Sequence, residues 1–157
     1  MKKFLTIVFC AILLLAGEHS ASAQLSRLHF GSYKINRISL LSLRSVNGEA
    51  QAVCTNDSLA FTMSNISGVV YKNGRPFVHG TANPVSVASG TSTVVVKGTA
   101  TLYDDITLWD VLSCIAFHPS DYTIDVSMRI TNSAGASRTY SRNGISVANL
   151  LHNIRGK

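Results

Sequence analysis

The sequence predicts an all-β domain, a sandwich or barrel of roughly seven or eight short antiparallel strands with one inserted helix. Three observations carry this. Tyr122, Ile124, Val126, Met128 and Ile130 alternate with Thr123, Asp125, Ser127 and Arg129, the period of a half-buried strand. Asn73-Gly74 sits between the β-formers Val69–Lys72 and Pro76–Val78, the signature of a type I′ hairpin, whose two central residues need positive φ. Thr93 to Leu102 presents Val94, Val96, Gly98, Ala100 and Leu102 on one side.

The remaining elements follow in chain order. Residues 24–32 read as a loose lead-in, and the domain as residues 33–157. Ile35 to Leu43 is rich in Ile and Leu and is predicted as a strand. Ala50, Ala52 and Cys54 alternate with Glu49, Gln51 and Val53. Leu59, Phe61 and Met63 alternate as well, and Asn65 marks a bulge ahead of Ile66. Val85 and Val87 form a short strand before Ser89-Gly90. Pro76 lacks an amide proton, which places it at an edge or at a non-bonded position. After Asn132–Gly135, Ala136 to Arg142 is the returning strand of a hairpin.

One stretch breaks the two-residue period. Leu108, Trp109, Leu112, Ile115 and Ala116 share a helical stripe, and Pro119 stops the helix. The stripe is expected to face the core, with Asp104 or Asp105 as cap. A second helix is predicted at Val147–Ile154, with Ser146 as cap and Val147, Leu150, Leu151 and Ile154 inward.

The N-terminus reads as an address. Lys2-Lys3 precede Phe4–Ala16, thirteen residues without a charge, and Ala21-Ser22-Ala23 ends a small, polar stretch. This is the layout of a cleaved secretory signal peptide, residues 1–23, with the cut between Ala23 and Gln24. Thirteen apolar residues fall short of the roughly 20 that a spanning helix needs. Cys10 lies mid-stretch after Val8-Phe9, without the small residues that precede a lipidated cysteine. The expected location is the periplasm, the cell envelope or outside the cell.

Export leaves Cys54 and Cys114. An oxidising compartment permits a disulfide between them; the alternative is two buried free thiols. The net charge is +6. Its lysines and arginines are scattered, with no run of three, so the charge reads as solubilising rather than as a nucleic-acid surface.

Phe61-Thr62-Met63-Ser64-Asn65-Ile66-Ser67-Gly68-Val69-Val70-Tyr71-Lys72-Asn73-Gly74 resembles the strand and hairpin of the late embryogenesis abundant type 2 family, also described as the water stress and hypersensitive response domain. The valine-rich strand, the Leu108–Ile115 helix, Tyr122-Thr123-Ile124-Asp125-Val126 and Gly144 follow in that family's order. The resemblance covers roughly residues 46–150. It implies an immunoglobulin- or fibronectin III-like sandwich, an association with stress tolerance, and no catalytic residues. One departure is Asn56-Asp57, where the family pattern has Asn-Pro.

Motifs for chemistry are sparse. His29, His79, His118 and His152 lack zinc spacing; Cys114 and His118 read as a packed thiol and a surface histidine. Asp104, Asp105 and Asp110 lack the calcium-loop order. There is no Gly-x-Ser-x-Gly elbow and no phosphate-cradling glycine loop. Asn56-Asp57-Ser58 and Asn65-Ile66-Ser67 match the N-glycosylation pattern, which a bacterial-looking leader makes idle. Trp109 would serve as a carbohydrate platform if exposed; its place on the stripe assigns it to the core.

The expectation is therefore a non-enzymatic exported protein without metal or cofactor, in an interaction or stress-protective role. An envelope protein or a glycan is the expected partner, not nucleic acid. The alternative is an accessory carbohydrate- or peptide-binding module.

Overall fold

The structure, a computed structural model, describes residues 28–114 and 116–155; the signal segment, its Ala23–Gln24 cleavage point and Cys10 lie outside them. Eight strands run β1 (Leu28–Leu40), β2 (Ser45–Asn56), β3 (Phe61–Lys72), β4 (Arg75–Ala82), β5 (Val85–Val87), β6 (Gly90–Leu102), β7 (Tyr122–Asn132) and β8 (Ser137–Ser146). Among the described residues, two helices, α1 (Leu108–Leu112) and α2 (Val147–Arg155), and a 3-10 turn at Pro119–Asp121 complete the order. The strands hydrogen-bond in the order β1-β2-β6-β4-β3-β7-β8, with β5 on β3, and every pairing is antiparallel. The result is an all-β, sandwich-like fold in which the inner rows of β2, β6, β3 and β7 meet in one core.

The two-residue period sets those rows. Tyr122, Ile124, Val126, Met128 and Ile130 are all buried. So are Ala50, Ala52 and Cys54 on β2 and Val94, Val96 and Ala100 on β6. Strand β3 keeps its row by a bulge. Ser64 pairs with Arg129 and Ser67 with Ser127, so Asn65 and Ile66 together oppose Met128. Asn65 takes φ 49°. The extra residue moves the inward register from Phe61 and Met63 to Ile66 and Val70, all four buried. A strict alternation would instead have turned Asn65 inward and Ile66 out. On the other side of β3 the partner changes at the same level. β4 ends at Ala82, opposite Ile66, and β5 resumes at Val85, opposite Met63.

The turns use the residues their geometry demands. Asn73 (φ 51°) and Gly74 (φ 80°) close the β3–β4 hairpin, as a type I′ turn requires. Pro76 precedes the part of β4 that pairs with β6, which starts at Val78. Asn132 Oδ1 accepts the Ala134 and Ala136 amides, both at 3.0 Å, and so shapes the β7–β8 turn. Ser146 Oγ accepts the Asn149 amide at 3.3 Å, capping α2, whose Val147 and Leu150 are buried.

Three expectations need correction, and one open pair of readings closes. β1 begins at Leu28 and ends at Leu40, so residues 28–32 are sheet rather than lead-in, and 41–43 are turn rather than strand. The cause is β2, which offers partners along its whole length, from Asn56 opposite Leu28 to Val46 opposite Leu40. The inserted helix spans only Leu108–Leu112 and buries none of its side chains. Ile106, just ahead of it, fills the core position and is 1% exposed. The cap is Thr107, not Asp104 or Asp105. Its Oγ1 accepts the Asp110 amide at 3.2 Å while Asp110 Oδ2 accepts the Thr107 amide at 2.8 Å, a reciprocal capping box. Of the two readings open for Cys54 and Cys114, a disulfide or free thiols, the structure has free thiols, Cys54 buried and Cys114 partly so. They have separate surroundings: Cys54 Sγ lies 4.0 Å from Ser92 Oγ on the neighbouring strand, whereas Cys114 follows α1 and meets Tyr122.

Candidate functional site

Antiparallel pairing brings four connections to one end of the molecule. The β1–β2 turn (41–44), the β3–β4 turn (73–74), the β6–β7 connection (103–121) and the start of α2 all lie there, because Val46 pairs with Leu40 and Ala100, Lys72 with Arg75 and Tyr122, and Ser146 with Thr123. Among the described residues, eight large hydrophobic side chains are exposed, and six of them sit at this end: Leu40, Leu41, Leu43, Leu108, Trp109 and Leu112. Leu43 is 97% exposed, Trp109 79% and Leu108 71%. Apolar side chains scattered singly need no explanation, but their concentration at one place does.

The scaffold behind these side chains is fixed by polar contacts. Arg44 Nη1 donates to the Tyr103 carbonyl at 3.0 Å, and the Leu102 amide donates to the Arg44 carbonyl at 2.9 Å, which ties the leucine-bearing turn to the end of β6. Arg75 reaches across to α1. Its Nη2 donates to the Asp105 carbonyl at 2.9 Å and to Asp105 Oδ2 at 3.2 Å, and its Nη1 to Asp110 Oδ1 at 3.4 Å. The Thr107 donors, first its amide and then its hydroxyl, hold the Asp110 carboxyl below its ordinary range, with Arg75 adding to them.

Behind α1, Lys72 Nζ donates to Ser113 Oγ at 2.7 Å and stands 5.9 Å from the centre of the Tyr122 ring. Tyr122 donates its hydroxyl to Cys114 Sγ at 3.3 Å and stacks, tilted, on Phe117 at 5.1 Å. Burial, and then that bond to Cys114, push the Tyr122 phenol well above its ordinary value. The inner side of the connection is thus bolted to β3 and β7, while Leu108, Trp109 and Leu112 on α1 are left facing water. Trp109 is therefore not the core residue that the helical stripe suggested.

The other candidates do not converge. His29 meets Asp57 at 3.5 Å at the opposite end, His79 packs edge-on against Tyr103, His118 precedes the 3-10 turn, and His152 is exposed on α2. Among the described residues, no group of three or more His, Cys, Asp or Glu is placed to hold a metal ion, and no helix is long and apolar enough to cross a membrane. Asn65 of the second glycosylation pattern is exposed at the bulge. Asn56 of the first is 2% exposed and committed to the fold. Its Nδ2 donates to the Leu59 and Ala88 carbonyls at 3.1 and 3.3 Å, and its Oδ1 accepts the Ser58 amide at 3.0 Å and the Ser58 hydroxyl at 2.8 Å. It binds the end of β2 to the segment after β5 and shapes the turn that begins at Asn56-Asp57.

Leu40, Leu41 and Leu43 were missed as surface residues. Leu43 directly precedes Arg44-Ser45-Val46, and because β2 begins at Ser45 rather than near Glu49, Leu41 and Leu43 fall in the turn; the alternation of Glu49 to Cys54 alone gave no signal of this.

No family model matches the chain, and no curated protein matches it. Solved structures similar to it include a protein from Archaeoglobus fulgidus, with 17% identity, 74% of this chain and 94% of that chain covered, and a TM-score of 0.44. A FixG-related protein from Vibrio parahaemolyticus has 10% identity, 76% and 96% coverage, and a TM-score of 0.31. A beta-glucuronidase of glycoside hydrolase family 2 has 17% identity and a TM-score of 0.35, and this chain spans 76% of its own length but 13% of that chain. Likenesses this low carry neither a family nor an activity across.

Proposed function

We propose that the chain is an exported, non-enzymatic binding domain of the cell envelope, and that its contact surface is the end carrying α1. The observation behind this reading is the clustering of Leu40, Leu41, Leu43, Leu108, Trp109 and Leu112, exposed at the end of β1, on the turn that follows it and on a capped helix, with Arg44 and Arg75 tying these segments to their neighbours. Leaving six large apolar side chains in water forgoes burial worth about 1.5–3 kcal/mol each. A partner surface recovers it. The leader at residues 1–23 supports export, and the resemblance to the late embryogenesis abundant type 2 family supports a protective or interaction role.

The test compares immobilised residues 24–157 with a Leu43→Ser/Leu108→Ser/Trp109→Ser variant of unchanged circular dichroism. Both are exposed to envelope components, lipid and protein together. The wild-type domain is expected to retain a component in stoichiometric amount that the variant loses. Equal retention by both, or none by either, contradicts the reading.

A glycan is the second reading, favoured by the exposure of Trp109 beside the polar groups of Asp105, Asp110 and Arg75. On that reading soluble cell-wall oligosaccharides shift Trp109 emission, and Leu43→Ser leaves the shift intact.

A further inference from the structure

We propose that the outer edge of β8 is a second recognition site, separate from the α1 end, which takes an extended acidic peptide as a further strand of the sheet. Among the described residues, β1 and β8 close the two ends of the strand order and each pairs on one side only. An edge strand presents a row of unpaired N–H and C=O groups, a template for another chain, and folds blunt such edges by shortness, bulges, proline or lysine. β1 is blunted: its register shifts twice, between Phe30 and Tyr33 and between Ile35 and Arg37, and it carries an exposed Lys34. β5, which pairs with β3 alone, is three residues long. β8 has none of these devices from Ser137 to Arg142. Its register runs unbroken from Ser137 opposite Thr131 to Arg142 opposite Val126, and the segment holds neither proline nor lysine. Ser137, Arg138, Thr139 and Ser141 are exposed along it.

Charge selects the occupant. β7 and β8 together carry Arg129, Arg138 and Arg142 against one carboxylate, Asp125, whose Oδ1 already accepts the Gly144 amide at 2.8 Å. Arg138 stands opposite the buried Ile130 and so on the core side of β8. Arg129 comes from the outer side of β7 and reaches over β8, where its Nε donates to Ser137 Oγ at 2.9 Å. The start of β8 is thus flanked by a guanidinium on each face. Both arginines are exposed, and neither forms an ion pair among the described residues. A second copy suits this edge poorly. Antiparallel pairing of β8 with itself about Tyr140 sets Arg138 of one copy opposite Arg142 of the other, and like charges so placed destabilise a strand pair. A strand with two consecutive carboxylates suits it well. Neighbouring side chains of a strand point to opposite faces, so one carboxylate meets Arg138 and the next meets Arg129. Main-chain bonds to β8 supply affinity, and the two arginines supply the choice of sequence.

The probe is a capped peptide of about eight residues, a common strand length, that alternates valine and threonine around a central pair of glutamates. One control carries lysine in place of both glutamates. A second keeps the glutamates and has proline at alternate positions, so that the charge stays and the ladder donors go. Binding to residues 24–157 is followed by fluorescence anisotropy of the labelled peptide, and exchange of the backbone amides is read by NMR. The expected result is binding of the glutamate peptide alone, weakened by salt, with protection of outward-facing amides between Ser137 and Arg142 and none on β1. Arg138→Glu and Arg129→Glu are expected to lower its affinity about tenfold each, the scale of one charge-assisted contact, and Arg138→Glu to admit the lysine peptide. Lys34→Glu, the same reversal on the β1 edge, is expected to leave binding unchanged.

Failure of the glutamate peptide to bind overturns the proposal. So does equal binding of the proline peptide, which would leave charge attraction without an added strand, or protection on β1 in place of β8. Protection of the β8 amides that rises with protein concentration and needs no peptide would assign the edge to a second copy and overturn it as well. The Leu43→Ser/Leu108→Ser/Trp109→Ser variant is expected to bind the peptide as the wild type does; loss of binding there would place the peptide at the α1 end and sink the β8 assignment.

Discussion

Replacing Asn56 by alanine tests how the end opposite α1 is held. The side chain is 2% exposed, and its amide makes four hydrogen bonds, to the Leu59 and Ala88 carbonyls and to the Ser58 amide and hydroxyl. Alanine removes all four. The Ser58 hydroxyl has a second acceptor in the Leu59 carbonyl at 3.4 Å, so it is not stranded. The two carbonyls and the Ser58 amide are. Each group left without a partner costs about 1–3 kcal/mol when buried. The lower figure applies here because Leu59 and Ala88 border on solvent, which gives about 2–4 kcal/mol in all. Against a total stability of about 5–15 kcal/mol, that is a large fraction, and it lowers the melting temperature by about 10 °C. Asn56→Asp is the isosteric control. It keeps an acceptor for Ser58 but turns a lone pair on the two carbonyls, so at neutral pH it is at least as destabilising as alanine. The assay is thermal unfolding followed by circular dichroism rather than Trp109 emission, because Trp109 is already in water when the chain is folded. A melting temperature for Asn56→Ala within about 2 °C of wild type would refute the account of Asn56 as a clamp.

Three further outcomes follow from the same coordinates. Met128→Ala, at a side chain 1% exposed, is expected to cost about 2–5 kcal/mol in urea unfolding, whereas Leu108→Ala, 71% exposed, stays within about 0.5 kcal/mol of wild type; similar losses at both would mean that α1 packs inward. The Asp110 carboxyl is depressed by its Thr107 donors, so its stabilising contribution is present above the unfolded-state value and is lost as the pH falls through the lower folded one. An NMR titration of the Thr107 amide should show that low midpoint and should show it rise in Thr107→Ala; a midpoint at the ordinary aspartate value contradicts the capping box. Cys114 should react with a disulfide reagent in the folded protein, and Cys54, buried with its thiol pKa pushed up by desolvation, only in denaturant; no thiol titre in denaturant, without reductant, would mean that the two are bonded.

The strands were legible in the sequence to the extent that their two-residue period holds. The inward rows of β7, β2 and β6 read directly, because alternation names both the element and the buried face. At β3 the period fails at Asn65, and the failure was itself readable, since an asparagine that tolerates positive φ suits a bulge. The hairpin at Asn73-Gly74 needed only local rules. α1 was different. Helical spacing says that Leu108, Trp109 and Leu112 share a face, but nothing local says which way that face looks. Tertiary contacts decide it: Arg75 and Lys72 hold α1 by its polar residues, and Ile106 has already filled the core position. The extent of β1 was hidden for a similar reason, because a partner strand rather than the composition of residues 28–32 makes them sheet. The role of Asn56 was hidden because its four partners lie both near it in the chain and on the segment after β5.

The binding surface stands or falls with the orientation of α1, and acrylamide quenching of the single tryptophan in the free, folded domain measures that orientation. With Trp109 79% exposed, the account predicts quenching close to that of the unfolded chain and emission like that of tryptophan in water. A shielded tryptophan with blue emission, in a monomer free of lipid, would place Trp109 in the core and remove the surface on which the proposed function rests.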